Sequence, residues 1–471
     1  MSRRRLDRPA PQAKVAKAQL PQAFGAKINR RAADRLRAGH VWVYASDIES
    51  VEVPAGDPPA LVPVADSRGL LLGTALYSPI SQIALRLVSR AALDEAAWLQ
   101  LLEARLRTAI RRRHPLLDEQ NNACRLCFSE ADELPGLVVD KYGELVILQL
   151  LTKGLDSAAT RAVCVRVLRE ELSPAVILER PDARVRELEG LAAPSAEPLF
   201  VAEGYSENEP AGAKAQHLLD GTCGTTEVVP CYKTGPLSGF SAGRQVSSTD
   251  FRLNGLLFHY DANSGQKTGA FLDQRSNYAA AAEWARRLGL ASRDGGGRAR
   301  DGCCYQGGFA LHLAEVCAQV TGIDASRASL EVAEKNLQAN RPRLTAQVEW
   351  VEGDAFQILR DWSEAGESFD AIVLDPPAFA KSLRAVEGAL RGYKELNLRA
   401  LKMLRPGGLL VTCSCSHHVG WAELEASVTS AAADAHRRVR LLERRGAALD
   451  HPVLLNLAET EYLKCLVLEV E

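Results

Sequence analysis

No stretch of this 471-residue sequence approaches the ~18 consecutive apolar residues that a membrane span needs. A membrane-embedded role is therefore not expected. Charge of one sign is also missing: the net charge is −2, so the chain is no polycation, and any nucleic-acid contact must rest on local basic clusters. There is no G-x-G-x-x-G dinucleotide fingerprint and no P-loop lysine at its required spacing. No repeat recurs at a solenoid period. Of the 11 cysteines, Cys124 and Cys127 form a lone C-x-x-C with no second pair at zinc spacing. They read as buried thiols, and no metal centre is expected. The first residues lack the apolar run of a signal peptide, so reduced cysteines and a cytoplasmic location are expected.

What is present is a globular composition, 46% hydrophobic and 25% charged. The length suggests about two to four domains. Residues 1–24 carry Arg3, Arg4, Arg5, Arg8, Lys14 and Lys17 against Asp7, and read as a disordered basic arm. Residues 25–90 hold short apolar runs separated by turn residues, the signature of a small β-rich domain. Residues 91–190 read as a central α+β domain. It opens on a helix from about Asp94, its cap, to Arg113, stopped by Pro115. The terminal Arg111, Arg112 and Arg113 suit either the helix dipole or an RNA backbone. Residues 191–247, rich in Gly, Pro, Ser and Ala, read as an insertion or linker. From 248 to 471 strands alternate with helices, which implies an α/β domain with a mostly parallel sheet covered on both faces.

Ligands of such sheets sit beyond the carboxyl ends of the strands. Three acids fall there in order: Asp324, Asp354 and Asp375. Before the first lies Tyr305-Gln-Gly-Gly-Phe309, where Gly307 and Gly308 permit close backbone approach at a helix start. Asp324 is placed to accept the hydroxyls of a ribose. Asp354 suits an adenine amino group, with Ala355 and Phe356 next to it. The set fits an adenosine-containing ligand.

Asp375-Pro-Pro-Ala-Phe379 ends one strand with a stiff loop, and Thr412-Cys-Ser-Cys-Ser416 ends the next. Carbon 5 of cytosine is a poor nucleophile. A thiolate added at C6 makes C5 enamine-like, able to attack a sulfonium methyl. Cys415 fits that thiolate, and Asp375 fits a proton or hydrogen-bond source at N3. A buried Cys at a strand end is ordinarily packing. Its neighbourhood of carboxylates favours the nucleophile. The base that removes the C5 proton is left among Cys413, His417, His418 and a water.

These motifs resemble the ribosomal RNA large subunit methyltransferase I family. The likeness rests on Gln266-Lys-Thr-Gly-Ala-Phe-Leu-Asp-Gln-Arg275, the Tyr305–Phe309 and Asp375–Phe379 motifs, Arg391-Gly-Tyr-Lys-Glu-Leu-Asn397 and Ser414-Cys-Ser416. Upstream, Gly39-His-Val-Trp-Val-Tyr44 is similar to the family's PUA domain, and Leu134–Gly143 and Arg184–Gly190 to its central domain. The resemblance implies a Rossmann-like class I methyltransferase domain that makes 5-methylcytosine in large-subunit ribosomal RNA. It implies S-adenosylmethionine as cofactor, held by Thr268, Phe271, Asp273, Arg275, Asp324 and Asp354, with Cys415 as nucleophile and a PUA-like domain on RNA. Whether the chain forms a homodimer is left open. One departure stands out. The first core strand reads Gly295-Gly-Gly-Arg-Ala-Arg-Asp301, and Arg298 and Arg300 are hard to bury. That strand is expected to be short and frayed, or the cofactor site impaired. Two other readings follow: methylation of a base amino group, and an RNA-binding relative with a decayed cofactor site.

Overall fold

The computed structural model describes residues 25–54, 60–203, 205, 247–262, 270–380 and 382–471. The basic arm at 1–24, most of the 191–247 segment and Thr268 lie outside the described residues.

The first unit comprises β1 (Gly25–Ile28), α1 (Arg30–Arg37), β2 (Trp42–Tyr44), β3 (Ile48–Glu52), β4 (Leu61–Asp66), β5 (Leu71–Tyr77) and β6 (Ile83–Ser89). Its six strands run β2-β6-β5-β4-β1-β3. Alternation puts Val62 and Val64 of β4 and Leu85 and Leu87 of β6 in one core, which α1 covers with Ala32, Ala33 and Leu36. Asn29 starts that helix by accepting the Ala32 amide at 2.9 Å.

The central unit comprises α2 (Glu95–Arg113), β7 (Ala123–Phe128), β8 (Leu137–Tyr142), β9 (Leu145–Leu150), α3 (Ala158–Leu172), β10 (Val176–Glu179), α4 (Ala183–Leu188) and β11 (Phe200–Val201). The sheet order is β11-β10-β9-β8-β7. β11 falls within the segment read as an insertion, yet it pairs antiparallel with β10, so the central sheet continues past residue 190. Two residues are too few to show a period in sequence. Asp94 caps α2 through the Ala97 amide, as its position predicts. The arginines that end α2 are used inside the fold. Arg113 is buried and grips Asp132 with bonds of 2.6 and 2.7 Å, and Arg111 reaches Glu171 at 2.9 Å. Cys124 and Cys127 are buried thiols.

A hairpin, β12 (Ser248–Leu253) and β13 (Leu256–Asp261), leads into the last unit. There follow α5 (Arg275–Arg287), β14 (Arg298–Gly302), α6 (Gly308–Leu313), β15 (Gln319–Asp324), α7 (Arg327–Asn340), β16 (Gln347–Glu352), α8 (Ala355–Glu364) and β17 (Phe369–Leu374). The chain ends with α9 (Val386–Met403), β18 (Leu404–Ser414), α10 (Trp421–Asp434), β19 (Val439–Arg445) and β20 (Lys464–Val470). The sheet order is β16-β15-β14-β17-β18-β20-β19. All pairs are parallel except those of β20, which runs against β18 and β19. Successive residues of a strand feed opposite cores: Ile372 packs with Phe369 and Leu410, Val373 with Ala299 and Val411. Each such buried aliphatic side chain contributes about 1.5–3 kcal/mol. Strand order reverses between β14 and β17, where a crevice opens. Among the described residues no helix is long and apolar enough to cross a membrane.

The arginine-bearing strand is not frayed. β14 is short but central, in register with both β15 and β17. Its two arginines share one face near the strand start and lie over aromatic rings. The Arg300 guanidinium is 4.3 Å from the Phe369 centroid and 4.7 Å from that of Trp362, and Arg298 is 5.0 Å from Phe369. Arg298 also pairs with Glu367 at 3.1 Å. Stacking and partial exposure thus replace the expected burial penalty.

Candidate active site

At the carboxyl ends of β14, β15, β16, β17 and β18 lies a cavity of about 520 Å³. Each acid reaches it from the end of a strand. Asp324 ends β15, and its carboxylate accepts the Tyr305 amide at 2.9 Å and the Ser326 amide at 2.8 Å. Asp354 follows β16 and caps α8 by accepting from the Gln357 amide at 3.1 Å. Asp375 follows β17 and accepts from the Gln274 side chain at 2.9 Å. Phe271, Asp273, Tyr305, Phe309, Ala355 and Phe356 complete the wall that sequence reading assembled, together with Cys415. The loop that joins β14 to α6 is strained. Cys303 and Tyr305 adopt φ of +68° and +49°, a left-handed backbone unusual for non-glycine residues.

The electrostatics of this cavity have one sign. Among the described residues four carboxylates line it and no lysine or arginine does. Behind it, burial pushes the Asp301 carboxyl well above its ordinary range, and Asp375 and Asp324 push it further, against the bond from the Ala310 amide. The Cys303 thiol is likewise pushed up, first by burial and then by Asp324 and Asp375. Such a site favours a cationic ligand with a flat aromatic part.

Some predicted residues stand elsewhere. Arg275 opens α5 but points away from the cavity. It donates to the Ala123 carbonyl at 3.1 Å and lies 3.8 Å from Asp450. Gly307 and Gly308 are also required by packing. Gly307 needs its φ of +85°, and a Cβ on Gly308 would sit 2.3 Å from the Tyr278 ring. Cys413 is buried beside Cys465, and burial first, then Cys465, push its thiol well up. It is fully buried and lines neither cavity. His418 is exposed and lines neither cavity.

Cys415 follows the last residue of β18, where the strand releases the chain. Its Sγ is 3.9 Å from the Pro376 carbonyl of the Asp-Pro-Pro loop. The residues on either side are fixed by a buried tyrosine. Tyr393, of the Arg391–Asn397 motif, meets Ser414 Oγ at 2.9 Å and Ser416 Oγ at 3.0 Å. Lys464 is buried and donates to the Ser416 carbonyl at 2.9 Å. Burial draws its ammonium down, while Glu461 and Cys415 draw it up, which places a cation in the field of the thiol.

A second cavity, about 480 Å³, lies on the other side of Cys415. It shares Phe271, Asp273, Ala378 and Cys415 with the first. Its remaining walls come from all three units: Trp42 from β2, Arg125 and Phe128 from β7, and His417, His451 and Tyr462 from the methyltransferase-like unit. Trp42 Nε1 donates to Glu130 at 2.9 Å, tying the first unit to the second. The Phe128 ring stands 5.1 Å from His451 and 6.3 Å from Tyr462. Apart from His417 and the residues shared with the first cavity, sequence reading assigned none of its walls to a site.

With the geometry in place, relatives can be compared. A PUA-like domain family matches residues 26–90, and a methyltransferase domain family matches residues 300–408. The ribosomal RNA large subunit methyltransferase I of Photobacterium profundum is 33% identical over 91% of this chain and 95% of its own length. That of Tolumonas auensis is also 33% identical, over 91% and 94%. This chain belongs to the ribosomal RNA large subunit methyltransferase I family. Among solved structures, SMU.776, described as a methyltransferase and solved in complex with SAH, superposes with a TM-score of 0.69 at 17% identity. It covers 95% of this chain and 100% of its own. That likeness supports the fold: the expected PUA-like domain and class I methyltransferase domain of the family are both present.

Proposed function

We propose that this chain methylates C5 of a cytosine in large-subunit ribosomal RNA through a covalent adduct of Cys415. The observation that carries the reading is the place of Cys415, in the wall shared by an acidic, adenosine-sized cavity and a second cavity at the domain junction. The acidic cavity fits S-adenosylmethionine, which carries an ammonium, a sulfonium and an adenine. Asp324 is placed for the ribose hydroxyls, Asp354 for the adenine amino group with Phe356 near the ring, and Asp273 for the cationic portion. When bound, this cofactor supplies an electrophilic methyl group. Thr268 and Arg275, implied by the family resemblance, have no such support: one lies outside the described residues and the other points away.

The second cavity takes the target base, turned out of the RNA and flanked by Phe128 and Tyr462. Cys415 Sγ adds to C6 and leaves C5 electron-rich. Lys464, donating to the Ser416 carbonyl, holds the turn that carries Cys415. Asp375, one residue before the proline whose carbonyl meets Cys415, supplies in its protonated form the hydrogen bond to N3 as electrons enter the ring, reaching from the first cavity. Binding of the RNA itself falls to the PUA-like domain and the junction around Trp42.

Nucleoside mass spectrometry of ribosomal RNA incubated with the protein tests the reading. It expects 5-methylcytosine, lost in Cys415→Ala. N4-methylcytosine or another amino-methylated base would overturn it. No modified nucleoside together with no detectable S-adenosylmethionine binding would favour a decayed relative.

A further inference from the structure

The connection from β19 to β20 carries a pair that the proposed mechanism has not used. His451 is 4% exposed, and what it exposes faces the second cavity. Its Nδ1 meets Asp450 Oδ1 at 3.0 Å. With Nδ1 bonded to a carboxylate, the ring proton resides there and Nε2 keeps its lone pair. Asp450 is fully buried and built in from three directions. Its Oδ2 accepts the Arg125 amide at 2.9 Å, Arg275 stands 3.8 Å away, and Arg113 donates to its carbonyl at 3.2 Å. Burial alone would raise the Asp450 carboxyl. His451, Arg275 and the Arg125 amide outweigh it and hold the group below the usual carboxylate range. The turn is pinned to the site, since the Ala448 amide donates to the Asp273 carbonyl at 2.8 Å and the His451 amide to the Ala448 carbonyl at 2.8 Å. Phe128 packs against the imidazole at 58°.

We propose that His451, oriented by Asp450, is the base that removes the C5 proton after methylation. This rests on the Cys415 reading above. In the step, the C5–H bond breaks and its proton passes to Nε2 of His451. The electron pair of that bond forms the C5–C6 double bond. The C6–Sγ bond then breaks, and its pair returns to Cys415 as thiolate. The imidazolium, stabilised by the Asp450 carboxylate, releases its proton to solvent. Arg275, expected at the cofactor, thereby serves the proton-transfer pair instead. Other ionisable groups lining this cavity are Arg125, Glu130, Asp273, Cys415, His417, Glu459 and Tyr462.

The test uses His451→Gln, ordinary cytosine RNA and methyl-labelled S-adenosylmethionine. The expected result is a denaturant-stable protein–RNA complex that carries the label, with turnover reduced on the order of 10²–10⁴-fold. Turnover at the wild-type rate overturns the assignment. So does loss of turnover with no labelled complex in a variant that still traps 5-fluorocytosine RNA. That analogue has no C5 proton to lose, so wild-type protein must trap it if Cys415 attacks C6. Failure of the wild type to trap it would refute the Cys415 reading, and this inference with it. If His451→Gln does not trap the analogue, His451→Asn is measured in the same way. Turnover at the wild-type rate, or trapping of the analogue with no labelled complex on ordinary RNA, overturns the proposal.

Discussion

The cavity beneath the strand ends and the cavity at the domain junction share Cys415, yet they are assembled differently. The first draws its walls from one α/β unit and, among the described residues, carries four carboxylates and no cation. The second draws on three units, mixes Arg125, Glu130, His451 and Glu459, and lines itself with aromatic rings. A site built at the ends of a parallel sheet inherits its geometry from the sheet. A site built between units depends on tethers such as Trp42–Glu130 and Arg125–Asp450. Changes on one side should therefore leave the other intact, and that separation can be tested.

The harshest test removes what the two sides share. Cys415→Ala is expected to lower methyl transfer by more than about 10⁴-fold. S-adenosylmethionine affinity by calorimetry and RNA affinity by filter binding should each stay within a few-fold. A loss of either affinity comparable to the loss of rate would make the thiol a structural residue of both walls. The next effect belongs to the cofactor side alone. His312, in α6 beneath the cavity, is buried with Nδ1 on the Gly308 carbonyl, and burial lowers it from its ordinary 6.5 to about 4. Folding keeps this imidazole neutral while the unfolded chain protonates it below about 6.5. The contribution is thus present above that pH and is lost as pH falls toward about 4, by about 3 kcal/mol. Urea unfolding followed across that range should show the loss, and His312→Gln should flatten it. Asp324→Ala comes third. Losing a carboxylate that braces the Tyr305 and Ser326 amides should weaken S-adenosylmethionine binding about 10- to 100-fold, or about 1.5–3 kcal/mol, with RNA affinity unchanged.

The contrast between the cavities also explains what was legible in the sequence. Asp324, Asp354 and Asp375 could be found because parallel strands must end in a crevice, and the acids follow apolar runs in order. Cys415 could be found because it follows the next such run. Arg275 was misplaced because a motif records proximity to a site but not the direction of a side chain. β14 was misjudged because its sequence does not reveal that Phe369 and Trp362 provide surfaces for its arginines. The second cavity has no periodic signature at all. Trp42, Phe128, His451 and Tyr462 come together only through tertiary packing. A local signal that could point to it is Asp450-His-Pro452, an acid beside a histidine in a connection between strands.

Phe128→Ala tests the junction side. If the target base packs on this ring, its loss should weaken RNA-dependent kcat/KM by about 1–3 kcal/mol, the range for one stacked base. S-adenosylmethionine affinity should not move. A matching loss of cofactor affinity would mean that the two cavities act as one.

The smallest effect asks whether the junction depends on its tethers. Trp42→Phe keeps the ring's bulk but removes the bond from Nε1 to Glu130, the link between the PUA-like domain and the central unit at this cavity. A hydrogen bond to a charged group is worth about 1.5–3 kcal/mol, but Glu130 also meets Ser129 and lies 4.0 Å from Arg86, so it keeps other partners. The net cost should be closer to 1 kcal/mol. It should appear as a several-fold rise in KM for RNA, with kcat and cofactor affinity unchanged. If kcat falls instead, the tether sets the geometry of the reacting base and not merely the shape of its entrance. The PUA-like domain would then be part of the catalytic wall as well as an RNA-binding attachment.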